Sequence, residues 1–87
     1  MKLILPNIRL PTDCSTSTTM GGMNGKGKKC IFPFVYQNIT YTKCTKNDAR
    51  TGKHWCSTFV DSNQHHVEEN GYWGICLDEC LIEGILI

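Results

Sequence analysis

Cys30-Ile31-Phe32-Pro33-Phe34-Val35-Tyr36-Gln37-Asn38-Ile39-Thr40-Tyr41-Thr42-Lys43-Cys44 decides the reading of this 87-residue chain. Ile31 to Tyr36 is aromatic and β-prone, and its side chains can alternate between two faces. Gln37-Asn38 is turn-like, and Ile39 to Thr42 is a second β-prone run. The spacing predicts a small antiparallel hairpin. Pro33 has no N–H for a ladder, which places the first strand at an edge. Toward the C-terminus, Asn47-Asp48 and Thr51-Gly52 mark turns, and Trp55 to Val60 reads as a third short strand. Asp61 to Asn70 is a polar loop carrying His65, His66, Glu68 and Glu69, and Gly71 to Cys76 closes the core. Toward the N-terminus, Ser15 to Lys29 is polar and Gly-rich, with neither a helical nor a strand pattern, and reads as a surface loop. Residues 1–13 read as a flexible arm and 81–87 as an apolar tail, leaving 14–80 as the module and 30–76 as its core.

Only 40% of the residues are hydrophobic, so a core built from so short a chain is thin. The net charge is +1, which supports no basic face for a polyanion such as nucleic acid. Lys26-Gly27-Lys28-Lys29 is a solvated basic loop without the strand-to-helix setting of a phosphate site. No apolar stretch approaches the roughly 18 residues of a membrane span. Six Cys in such a chain point to disulfides and to an oxidising, extracellular compartment. From spacing alone, 15 pairings are open. Met1 to Leu5 begins as a secretory signal does, but Pro6, Asn7 and Arg9 cut the apolar run short, so no signal peptide is visible and the chain reads as a fragment of a longer product.

Four groups of residues carry a family resemblance. They are Cys30-x-Phe32-Pro33-Phe34-x-Tyr36, Tyr41-x-x-Cys44-Thr45, Trp55-Cys56-Ser57-Thr58 and Trp73-Gly74-x-Cys76. In this pattern the chain resembles a fibronectin type II domain, in an extended six-cysteine form. The resemblance implies a small, disulfide-rich, mostly β and irregular fold with two short antiparallel hairpins or sheets and long loops. It implies the bonds Cys30–Cys56 and Cys44–Cys76, with Cys14–Cys80 as an extra outer pair. In the chain-entropy account, each such loop contributes about 3.5–4.5 kcal/mol, not additively.

The resemblance also implies an aromatic pocket that grips collagen or gelatin chains, or phosphocholine headgroups in one subset. Aromatic faces pack prolyl rings and attract quaternary ammonium groups. By motif position the pocket residues are Tyr36, Trp55 and Trp73, with Phe32, Phe34 and Tyr41 in the core. The family carries one more Tyr after Trp-Cys. Here the loop is longer and has no Tyr, and His66 or His65 takes that place. The expected function is thus a non-catalytic, secreted binding module for a collagen-like protein, a lipid headgroup or a glycan. The alternative is an accessory domain of a secreted serine protease or matrix enzyme whose catalytic part lies elsewhere.

Other chemistry fits less well. Zinc sites favour two close ligand pairs, and Cys76-x-x-x-Cys80 is the one close Cys pair here, so no metal or other cofactor is expected. His54 beside Cys56 suggests a thiol nucleophile, but pairing Cys56 in a disulfide removes it. No nucleophile or metalloprotease motif is present, and the chain is not expected to be an enzyme. Asn38-Ile39-Thr40 is a glycosylation acceptor sequence at the predicted hairpin turn, so Asn38 is expected to be accessible.

Overall fold

A computed structural model describes residues 14–81. The arm expected at 1–13, and the tail expected at 81–87 except its first residue, lie outside the described residues. The elements run β1 (Thr16–Gly21), β2 (Phe34–Tyr36), β3 (Ile39–Tyr41), β4 (Trp55–Ser57), β5 (Trp73–Cys76) and a single helical turn, α1 (Asp78–Leu81). They form one three-stranded sheet, ordered β1-β5-β4, and one two-stranded sheet, β2-β3.

The β2–β3 hairpin is antiparallel, pairing Phe34 with Tyr41, Val35 with Thr40 and Tyr36 with Ile39. Gln37 and Asn38 form its two-residue turn with φ of 51° and 68°. Two positive φ values give a turn whose twist matches that of the strands it joins. The strand begins at Phe34, after a cis Phe32–Pro33 bond, so Pro33 withholds no ladder hydrogen bond. β4 lies antiparallel to β5, with Trp55 opposite Ile75 and Ser57 opposite Trp73. Thr45 exchanges both backbone hydrogen bonds with Trp55, at 2.9 and 2.8 Å, which fixes the entry to β4.

β1 corrects the expectation of a patternless loop over 15–29. Thr16 pairs with Cys76 and Gly21 with Gly74, with a register shift between the two pairs. The middle of the strand is exposed and polar, so it shows no apolar alternation. What anchors it is Thr16, which is fully buried and whose hydroxyl donates to the Gly25 carbonyl at 2.7 Å. The strands cross where Gly74 has no side chain, since a Cβ there would lie 2.5 Å from the Cβ of Thr16.

Cys30–Cys56 and Cys44–Cys76 are disulfide-bonded, and they pack with Cys30 and Cys76 sulfurs 3.8 Å apart. Around them lie Phe34, Trp55 and Ile75. Phe34 is completely buried, as expected for a core residue, whereas Phe32 and Tyr41 are only partly buried at its margin. Cys14 and Cys80 are also buried. The Leu77 N–H donates to the Ser15 carbonyl at 3.2 Å, which brings the two ends of the module together. Cys80 is a thiol directed at that same carbonyl, 3.8 Å away. The outer bond Cys14–Cys80 therefore stays a proposal.

Candidate functional site

Three segments, β2, β5 and a loop, converge on Trp55 of β4. β2 supplies Tyr36, which follows the buried Phe34 by two residues and so shares its face of the strand. β4 supplies Trp55, and β5 supplies Trp73 by pairing it beside Ser57. The third segment is the loop 59–67. It folds back on itself, with Asp61 N–H donating to the His65 carbonyl at 2.9 Å and Val67 N–H to the Phe59 carbonyl at 3.1 Å. It then docks along the free edge of β2. Val35 N–H donates to the Gln64 carbonyl at 2.8 Å, and His66 N–H donates to the Val35 carbonyl at 2.9 Å.

That docking separates the two adjacent histidines. His65 is exposed, with Nδ1 3.9 Å from the Asp61 carboxylate. Asp61 is held below the usual carboxylate range by the backbone N–H groups of His65 and Asn63, which stabilise the turn at its base. His66 turns inward. Its ring centre lies 5.4 Å from that of Trp55, 5.8 Å from Tyr36 and 6.3 Å from Phe34. Nδ1 meets the Ser57 hydroxyl at 2.7 Å. Burial pushes the His66 ring below its ordinary value, and nearby Glu68 opposes that shift more weakly.

The result is an open cavity of about 330 Å³ walled by Tyr36, Trp55, His66 and Trp73. Its volume is at the lower end of the usual range for ligand sites. Tyr36 stands edge-on to Trp55, with ring centres 5.2 Å apart. The Tyr36 hydroxyl donates to the Asp48 carboxylate at 2.6 Å, and that bond is the main reason its pKa is pushed up to about 12. The bond also fixes the ring as a wall of the cavity.

Trp55, a pocket residue by motif position, lies deeper than Tyr36 and Trp73. It is only 6% exposed, touches the rings of Phe34, Tyr36 and His66, and donates Nε1–H to the Asn47 carbonyl at 2.8 Å. In so small a module the floor of the pocket is the core. Trp73 is partly buried against that core and retains an accessible face.

Sequence reasoning missed the charged rim. Asp48, Arg50 and Glu68 line the same cavity. Asn47-Asp48 was legible only as a turn, and Asp48 does take a left-handed φ of 63° there. The available signal was the charge pair Asp48 and Arg50 in the loop leading to Trp55-Cys56. The four sulfurs of Cys30, Cys44, Cys56 and Cys76 lie within 4.8 Å of one another, a spacing that could suit a metal ion. They are joined as two disulfides, which leaves no thiolate to ligate one.

The fibronectin type II domain profile matches residues 30–76, from the first cysteine of the inner pair of bonds to the last. The chain belongs to the fibronectin type II family. It is similar to matrix metalloproteinase-9 of Canis lupus familiaris, 44% identical over 41 residues, which cover 47% of this chain and 6% of that protein. It is also similar to the 72 kDa type IV collagenase of Gallus gallus, 32% identical over 62 residues, 71% of this chain and 8% of that protein. The chain thus spans less than a tenth of the length of these relatives. No solved structure matches it. β1 lies outside the matched residues, yet it completes the sheet that carries Trp73.

Proposed function

We propose that this fibronectin type II module binds an extended, proline-rich chain of the collagen or gelatin kind in the cavity between Tyr36, Trp55, His66 and Trp73. The observation that carries the reading is the set of ring faces held around one open cavity of ligand size. Flat rings pack against pyrrolidine rings with little loss of conformational entropy, because both partners are stiff. A proline-rich chain offers many carbonyl acceptors and few N–H donors. Exposed Arg50 at the rim brings several donors to meet those carbonyls. The matched relatives support this ligand class, since one is named a type IV collagenase.

The same relatives favour the matrix-enzyme side of the accessory-domain expectation over the serine-protease side. In that role the module holds a matrix chain while catalysis takes place in another domain, in the extracellular space. Asn38, exposed at the tip of the β2–β3 turn, is then available for a glycan.

A phosphocholine headgroup is a second ligand for the same cavity. The carboxylates of Asp48 and Glu68 beside aromatic walls favour it, because both attract a quaternary ammonium. Titrations of the folded module with gelatin and with phosphocholine, followed by Trp fluorescence, separate the two. Saturable binding of gelatin is the expected result. Response to phosphocholine alone would replace the first ligand by the second, and response to neither would remove both.

A further inference from the structure

The ring of His66 is tied through Nδ1 to a chain of hydrogen bonds behind the pocket. The Ser57 hydroxyl is buried, and it has one proton to give. The Phe59 carbonyl stands ready to accept it at 3.0 Å. The lone pairs of Ser57 Oγ remain as acceptors. One faces the Phe59 N–H at 3.3 Å, and another faces His66 Nδ1 at 2.7 Å. With its proton on that carbonyl, Ser57 accepts from the ring, and neutral His66 then carries its hydrogen on Nδ1. Nε2 is then a bare acceptor. It meets no hydrogen-bond partner among the described residues, and the ring is part of the cavity wall.

We infer that His66 is a specificity-determining residue of this pocket: its Nε2 accepts a hydrogen bond from one N–H or O–H of the bound chain, and protonation of the ring abolishes that bond. The inference rests on the ligand reading above and adds the chemistry of one subsite to it. In a collagen-like chain the donors are few, namely the N–H of glycine and other non-prolyl residues and the hydroxyl of hydroxyproline. A single acceptor therefore selects register along the chain. An aromatic side chain without a ring acceptor at this position would pack as well but select nothing.

Protonation converts Nε2 from acceptor to donor, so the bond is lost and a charge enters the aromatic wall. The groups facing the ring fix the direction of the effect. Tyr36 on β2 stays neutral throughout, because its bond to Asp48 holds its proton. Ser57 on β4 is neutral and continues to accept from Nδ1. Glu68, on the same segment as His66, favours the charged ring, and Asp48 and Arg50 complete the rim across the cavity with opposite charges. Burial outweighs Glu68, so the ring stays neutral until the pH falls below the ordinary histidine value of 6.5. Ligand affinity is then full above that value and is lost as the pH falls through the lowered one.

The experiment measures gelatin affinity between about pH 7.5 and pH 5, a window in which His titrates while unperturbed Asp and Glu stay charged. Native protein should weaken about three- to tenfold across it, the scale of one hydrogen bond. His66→Gln, whose amide oxygen accepts but does not titrate, should bind with little dependence on pH. His66→Phe should be weaker by about the same three- to tenfold at neutral pH and equally flat. Inhibition by single-stranded Gly-Pro-Pro and Gly-Pro-hydroxyproline peptides locates the donor. Stronger inhibition by the second peptide assigns the hydroxyl, and equal inhibition assigns the glycine N–H. Long-range nitrogen NMR on the ligand-free module reads the tautomer directly and should find the proton on Nδ1. Gelatin binding that is unchanged across the window, or a ring protonated on Nε2 at neutral pH, would overturn the inference while leaving the ligand reading intact. No gelatin binding at neutral pH by folded protein would overturn both.

Discussion

Replacing Trp55 by Ala should destabilise the whole module rather than merely empty its pocket. The indole is 6% exposed and forms the floor of the cavity and the side of the core at once. Truncating a buried Trp to Ala costs about 3–5 kcal/mol. The loss of Nε1–H also strips the Asn47 carbonyl of its 2.8 Å partner, although water entering the new space offsets part of that. Small domains hold about 5–15 kcal/mol in all, and a chain with so lean a core sits toward the lower end. At a urea slope of about 1 kcal/mol per molar, the transition midpoint should fall by about 3 M or more. Trp73→Ala is the internal comparison. Trp73 is partly exposed and packs against the core from outside, so its loss should cost about 1–2 kcal/mol, in line with partial burial. Urea unfolding of both variants with their disulfides intact, followed by circular dichroism, measures the difference. Equal destabilisation by the two, or a cost below about 1 kcal/mol for Trp55→Ala, would refute the claim that the floor of the pocket is the core.

Further outcomes follow from other parts of the structure. Gly25→Ala places a Cβ on the carbonyl and backbone of Trp73, so β1 and its following loop should lift from β5, read as new protease cleavage within residues 15–29; resistance equal to that of the native chain would show β1 to be dispensable. Peptide mapping of unreduced, secreted protein should recover Cys14 linked to Cys80, because both are buried and the Leu77–Ser15 hydrogen bond brings their segments together; reaction of Cys80 with a thiol reagent in native protein would rule the bond out. Tyr36 should ionise near 12 in an ultraviolet titration, and Asp48→Asn should bring it down. Because the folded value is the raised one, the Tyr36–Asp48 bond supports the fold below the ordinary tyrosine value of 10 and loses that support as the pH rises toward 12; an unshifted Tyr36 would contradict the bond.

The parts of the fold legible in the sequence are those whose signals are local. Phe34, Tyr36 and Tyr41 flank Gln37-Asn38 at hairpin spacing, and the hairpin is there. The cysteine and tryptophan spacings place β4 and β5 because Trp55-Cys56 and Trp73-Gly74-x-Cys76 each put a bonded Cys on the strand. β1 was not legible. Its exposed threonines carry no apolar alternation, and its pairing with β5 rests on Thr16, on the missing side chain of Gly74 and on a register shift, all of them tertiary facts. The aromatic walls of the site were legible by position, but the depth of Trp55 was not, because the same residue types serve as core and as pocket. Choosing His66 over His65 required the docking of the 59–67 loop along β2, a contact between segments about 30 residues apart. Asp48, Arg50 and Glu68 lie in turns where backbone conformation, not pattern, aims the side chain.

The central claim is that the ring-walled cavity grips a collagen-like chain, and the most direct measurement is gelatin binding by native protein beside Trp73→Ala. Trp73 is the wall whose removal should leave the fold standing. Calorimetric titration should show the native module binding gelatin and the variant binding about ten- to a hundredfold more weakly, the scale of an aromatic anchor worth about 1–3 kcal/mol, with its circular dichroism unchanged. Equal gelatin affinity in the two folded proteins would contradict the account, because the ligand would then lie elsewhere on the module.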